Sequence, residues 1–204
     1  MLVSMFLAIV FSLAVTALVL LARHGRRKKE RLRQALAVCT SHLGWSRLAN
    51  ASEPIWYWNG RMRASPESIA GMWKGQPAEV TLFHFEQVYQ LPEVSLALVR
   101  GSGSRSGFNE VIAMGTAYEQ IRDFNGASAD LSRRFAFTGD PRDLRTLFDA
   151  DVAKALGAFP RRVQYIRVNR DVAGIVWTGW ETDVAVLECA LDLAQGLGRR
   201  AQTT

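Results

Sequence analysis

Histidine, cysteine and carboxylate side chains are the usual raw material of catalytic and metal sites, and this 204-residue chain carries three His, two Cys and 19 Asp or Glu. His24, His42 and His84 are scattered, with no H-E-x-x-H pair and no carboxylate at ligand spacing, so they indicate no metal site. His84 sits between Phe83 and Phe85, the setting of a half-buried structural side chain. Cys39 and Cys189 form no C-x-x-C, and Cys189 lies in an apolar helical stretch where burial would leave it inert. Glu188 and Asp192 are one helical turn apart and could share a cation, although like charges at that spacing ordinarily mark a solvated helix face. No G-x-S-x-G elbow occurs. The GSGSRSG run at 101–107 lacks the Lys, the Ser/Thr and the following helix of a phosphate loop, and reads as a hairpin loop. These patterns nominate no catalytic, cofactor or metal residue.

The stretch with the most distinctive chemistry is PIWYWNGRMR at 54–63. Its default reading is a hairpin turning at Asn59 and Gly60, with its aromatics packed on a sheet. The functional alternative places Trp56 and Trp58, with Arg61 and Arg63, at headgroup level or against a protein partner. A minor alternative stacks them on single-stranded bases, worth about 1–3 kcal/mol per base.

What must position any such contact is the N-terminus. MLVSMFLAIVFSLAVTALVLLA, residues 1–22, holds no charge and is apolar all round, whereas a helix on a soluble core shows a polar face. At about 1.5 Å per residue it matches the ~30 Å hydrocarbon thickness of a bilayer, which predicts a transmembrane helix. A secretion signal would carry its charges before the apolar stretch. Here Arg23, Arg26, Arg27, Lys28, Lys29, Arg31 and Arg33 follow it, so the positive-inside bias predicts an outside N-terminus and a cytoplasmic remainder, at the inner membrane in a bacterium. That location also predicts reduced cysteines.

Those seven residues belong to a total of 25 Lys/Arg; the other eighteen are matched by eighteen of the 19 Asp/Glu. The net charge of +6 therefore sits beside the span, which favours anionic headgroups over nucleic acid as the partner. Past it, Leu32, Leu36, Cys39 and Leu43 recur at helical spacing, predicting an amphipathic juxtamembrane helix over 23–44. It could lie on the membrane, pack on the domain, or pair with a second copy. Gly25 could kink it.

Residues 45–198 have the length of one domain, followed by a tail at 199–204. VTLFHFE (80–86), EVSLALVR (93–100) and FNEVIAM (108–114) alternate with period two and predict neighbouring antiparallel strands. Asp140 as N-cap, Pro141 at the first helical position and Asp143 in the first turn predict a helix. Its stripe is Leu144, Leu147, Phe148, Val152, Leu156 and Phe159. RRVQYIRVNRDVAGIVWTGW predicts a hairpin turning at 169–171. A closing helix should start near Glu181 and Asp183 and end near Gly196 and Gly198, with Arg199 and Arg200 at its C-terminus. Strands first, then two helices flanking a hairpin, define an α+β class on an antiparallel sheet.

The order of a basic-flanked span, a G-x-W-x-G hairpin at Gly71, Trp73 and Gly75 leading into VTLFHF, then RRFAFTGDPRDLRTLFD and a final strand pair and helix resembles uncharacterised bacterial membrane-anchored proteins. The resemblance implies an anchor and an α+β domain, and carries over no catalytic residue. The expected function is an interaction or accessory module at the cytoplasmic membrane surface, binding lipid and a protein partner or a second copy. The alternative is a membrane-tethered enzyme.

Overall fold

A computed structural model describes residues 2–48, 67–84, 93–101, 108, 110–115 and 129–203. The first element is a single 42-residue helix, α1 (Leu2–Leu43), which runs through Gly25 without interruption. Its end is set by Gly44, whose φ of 65° is costly for any residue with a Cβ and whose N–H still reaches the Thr40 carbonyl at 3.0 Å. Among the described residues no helix is long and apolar enough to cross a membrane, and the side chains of residues 2–10 lie outside that description.

The rest of the described residues is built on one eight-stranded antiparallel sheet in the order β1-β2-β3-β4-β8-β7-β5-β6. Its strands are β1 (Ser46–Arg47), β2 (Glu67–Trp73), β3 (Gln76–His84), β4 (Glu93–Arg100), β5 (Val111–Gly115), β6 (Phe135–Thr138), β7 (Val163–Val168) and β8 (Val172–Thr178). The helices are α2 (Ala129–Arg134), α3 (Pro141–Leu147), α4 (Ala150–Ala158) and α5 (Val184–Thr203). The chain is thus α+β on an antiparallel sheet, with more helices in its second half than the two expected.

Both faces of the central strands are buried. On β4, Ala97 and Val99 join the large core beneath α5, whereas Val94, Leu96 and Leu98 join a second cluster with Phe83, Tyr165, Val172 and Val176. Small side chains bring α5 close to the sheet: a Cβ on Gly198 would stand 3.4 Å from Ala173 Cβ, ordinary contact distance.

The β2–β3 hairpin turns at Lys74 and Gly75, with φ of 45° and 85°, as a two-residue primed turn demands. The β7–β8 hairpin turns where the sequence places it, because the Asn169 side-chain oxygen accepts from the backbone N–H groups of Asp171 and Val172.

Four expectations need correction. First, β5 does not neighbour β4: β8 and β7 lie between them, so the 101–107 run joins non-adjacent strands and is no hairpin loop. Strand alternation marks β5 as a strand but says nothing of its neighbour. Second, the helix expected from Asp140 onward is two helices. Asp140 caps α3 through the Arg142 N–H at 2.7 Å, Phe148 leaves helical geometry, and Asp149 caps α4 through the Val152 N–H at 3.0 Å. The stripe residues are nevertheless all buried. Third, α5 begins after Asp183, whose side chain accepts from the Ala185 N–H, and runs through both glycines and the expected tail to Thr203. Fourth, Cys189 is exposed, because the buried stripe of α5 runs through Val186, Leu187, Ala190, Leu191 and Ala194.

Candidate functional site

α1 changes environment along its length. From Phe11 to Leu20 every residue is exposed, with Phe11 at 72%, Leu18 at 66% and Leu13 at 65%. Arg23, Arg26, Arg27, Arg31 and Arg33 are exposed as well, and Lys28 and Lys29 lie on the same helix. The domain first meets the helix at Leu32, which is partly buried, and then takes in Ala35, Leu36 and Cys39 completely. The amphipathic stripe read over 23–44 therefore packs on the protein's own domain from Leu32 onward. Trp56 and Trp58, with the whole 54–63 stretch, lie outside the described residues, as does most of the 101–107 run.

The helix is seated at three levels. At the first, the Cys39 thiol donates to the Glu181 carbonyl at 3.9 Å. At the second, His42 Nε2 lies 3.1 Å from Glu188 Oε1, both about half exposed. At the third, past the helix end, Trp45 lies across Gly71, where a Cβ would come within 2.2 Å of its ring, and its Nε1 donates to the Met72 carbonyl. That packing is why a small residue stands in the middle of β2. The neighbouring Trp73 then ties the β2–β3 hairpin to α5 by donating from Nε1 to Asp192 at 2.9 Å, and Lys74 pairs with the same carboxylate.

Beneath the first level lies a buried polar centre that spacing alone did not reveal. Glu181, 3% exposed, precedes α5 rather than opening it. Its Oε1 accepts from Arg161 Nη2 and from the backbone N–H groups of Thr182 and Asp183; its Oε2 accepts from Arg161 Nε and Trp177 Nε1. The Glu181 N–H donates to Ser95 Oγ, which itself donates to the Gly179 carbonyl. A buried carboxylate persists only when its lone pairs are filled, and this one receives five donors. It thereby joins the α4–β7 connection, the end of β8, the start of α5 and, through its carbonyl, α1. The sequence signal was weak: a Glu four residues after a buried Trp, ahead of the Asp that caps the helix.

Burial raises the Cys39 thiol to about 11, with the nearby Glu181 charge acting in the same direction and a backbone hydrogen bond opposing them. Cys189 is raised too, by desolvation and then by Asp192. Neither environment generates the thiolate a nucleophile needs. Glu188 and Asp192 face different partners, the first His42 and the second Trp73 and Lys74. His84 is half-buried against Trp180, ring centroids 4.9 Å apart. Among the described residues no group of three His, Cys, Asp or Glu side chains could hold a metal ion. Taken together, these described contacts form the seat by which α1 docks on the domain.

No protein-family model matches the sequence, and no curated protein matches it either. Among solved structures, the chain is similar to the crystal structure of the mycobacterial trehalose monomycolate transport factor A, TtfA. The likeness is one of fold. It has a TM-score of 0.56 at 12% sequence identity, and covers 83% of this chain and 93% of that one.

Proposed function

We propose that the protein is a single-span, membrane-tethered accessory module whose α+β domain stands at the cytoplasmic face of the bilayer. The observation that carries the reading is the contrast along α1. Residues 11–20 are uncharged and exposed, Phe11, Leu13, Val15, Leu18, Val19 and Leu20 among them, while residues 35, 36 and 39 of the same helix are buried in the domain. Leaving large apolar side chains in water forgoes about 1.5–3 kcal/mol each, so the six exposed between Phe11 and Leu20 call for an apolar solvent. The uncharged stretch at 1–22 has the length to supply a span, and the basic run after it supplies both the orientation and the attraction to anionic headgroups. The fold likeness to a protein named as a transport factor fits an accessory role.

Two measurements test the tether. In bacterial membranes the full chain should resist extraction by high salt and by alkaline carbonate. A C-terminal reporter active only outside the membrane should stay silent. Extraction by carbonate refutes the span; a strongly active reporter refutes the orientation.

A further inference from the structure

α1 and α5 run in the same direction. Going from Cys39 to His42 to Trp45 along the chain leaving α1, the opposing contacts advance from Glu181 to Glu188 and then to the hairpin that Asp192 and Gln195 hold through Trp73. The N-terminal half of α1 therefore leaves the domain on the side where α5 begins. That same end carries the close of β8, paired through Thr178 with Val94 at the start of β4, and the end of β3, where His84 faces Glu93. It also carries the α4–β7 connection, tied to β8 by the Thr178 N–H to the Arg162 carbonyl. The opposite end holds the Lys74–Gly75 turn, Gly101 bonded to Asp171, the 169–171 turn and the C-terminus of α5.

From this geometry we infer that, given the membrane tether proposed above, the domain meets the bilayer in one fixed orientation. The end formed by the α4–β7 and β8–α5 connections faces anionic lipid, and the 169–171 end points away. The helix is continuous across the basic run, so the domain does not swivel at Gly25. From Ala22, the last residue of the uncharged stretch, to Leu32, where the domain begins, is ten residues, about 15 Å of helix. Headgroups occupy roughly 5–8 Å of that distance. The remainder is about one Debye length at physiological salt. Within this gap lie the exposed Arg23, Arg26, Arg27 and Arg31. At the described end Arg133, Arg134, Arg161 and Arg162 stand against Glu181, Asp183 and Glu93, which leaves it only weakly basic. The basic collar, with four exposed Arg on about 15 Å of helix, provides the stronger attraction, and the seats of α1 and Trp45 convert it into an orientation.

The test uses the full chain in vesicles containing anionic lipid, with Cys189→Ser to remove the exposed thiol. A donor dye is attached at Thr182→Cys or Arg162→Cys on one end, or at Asp171→Cys or Arg199→Cys on the other, and an acceptor is carried on the lipid headgroups. Energy transfer should be several-fold more efficient from the first pair than from the second. A flexible Gly-Ser insertion after Gly25 should level the two while leaving the protein in the vesicles. Equal or reversed transfer in the inserted protein without the linker overturns the orientation alone, as does a contrast that survives the linker. Failure of the full chain to enter vesicles at all overturns the tether and the orientation together.

Discussion

Replacing Glu181 by Gln isolates the charge of the buried carboxylate at nearly constant volume. The amide oxygen can stay where Oε1 is and keep three donors, Arg161 Nη2 and the N–H groups of Thr182 and Asp183. The amide nitrogen then replaces Oε2 and points its own hydrogens at Arg161 Nε and Trp177 Nε1, which now have no acceptor. Each hydrogen bond to a charged group contributes about 1.5–3 kcal/mol, so losing two predicts a cost of roughly 3–6 kcal/mol, in line with the ~3–5 kcal/mol for breaking a buried pair from one side. Arg161→Ala should cost less, about 1–3 kcal/mol, because its side chain is 41% exposed and Glu181 keeps three donors. The double variant should fall short of the sum, because the two side chains share one interaction. Urea unfolding of the full chain in detergent, followed by tryptophan fluorescence and by circular dichroism, gives all three values if the probes coincide. A Glu181→Gln cost below about 1 kcal/mol, or an Arg161→Ala cost exceeding it, would show that the carboxylate is not the anchor of this centre.

Two further pairs of substitutions probe the elements that fill the core and seat the helix. Leu147→Ala, at a fully buried position, should destabilise by about 2–5 kcal/mol, and Asp140→Ala by about 1 kcal/mol through loss of the α3 cap; the reverse ranking in the same unfolding assay would contradict the packing described. Gly71→Ala should cost about 1–3 kcal/mol, because its Cβ would meet the Trp45 ring at 2.2 Å, whereas Gly25→Ala, with nothing within 4 Å, should leave stability unchanged or raise it by up to about 1 kcal/mol. Equal effects at the two glycines would remove the argument for the Trp45 seat.

Much of this fold is written in local pattern. The period of two marks β4 from Glu93 to Arg100, Asn169 and Asp171 mark the β7–β8 turn, and Asp140 with Pro141 marks the start of α3, because each depends on residues a few positions apart. The uncharged stretch and the basic run are legible for the same reason. Long-range partnership was not. Alternation cannot say that β8, rather than β5, lies beside β4, since any buried strand offers the same apolar rows. Nor did the apolar stripe announce the break at Phe148, because it continues in phase from α3 into α4. The buried role of Glu181 exists only once β7, β8 and α5 meet, since its donors come from Arg161 and Trp177 as well as its own neighbours. The same holds for the direction of α1. Its sequence determined that an apolar, then basic, then amphipathic helix would form, but only the docking of Cys39, His42 and Trp45 against distant residues decided which end of the domain that helix leaves.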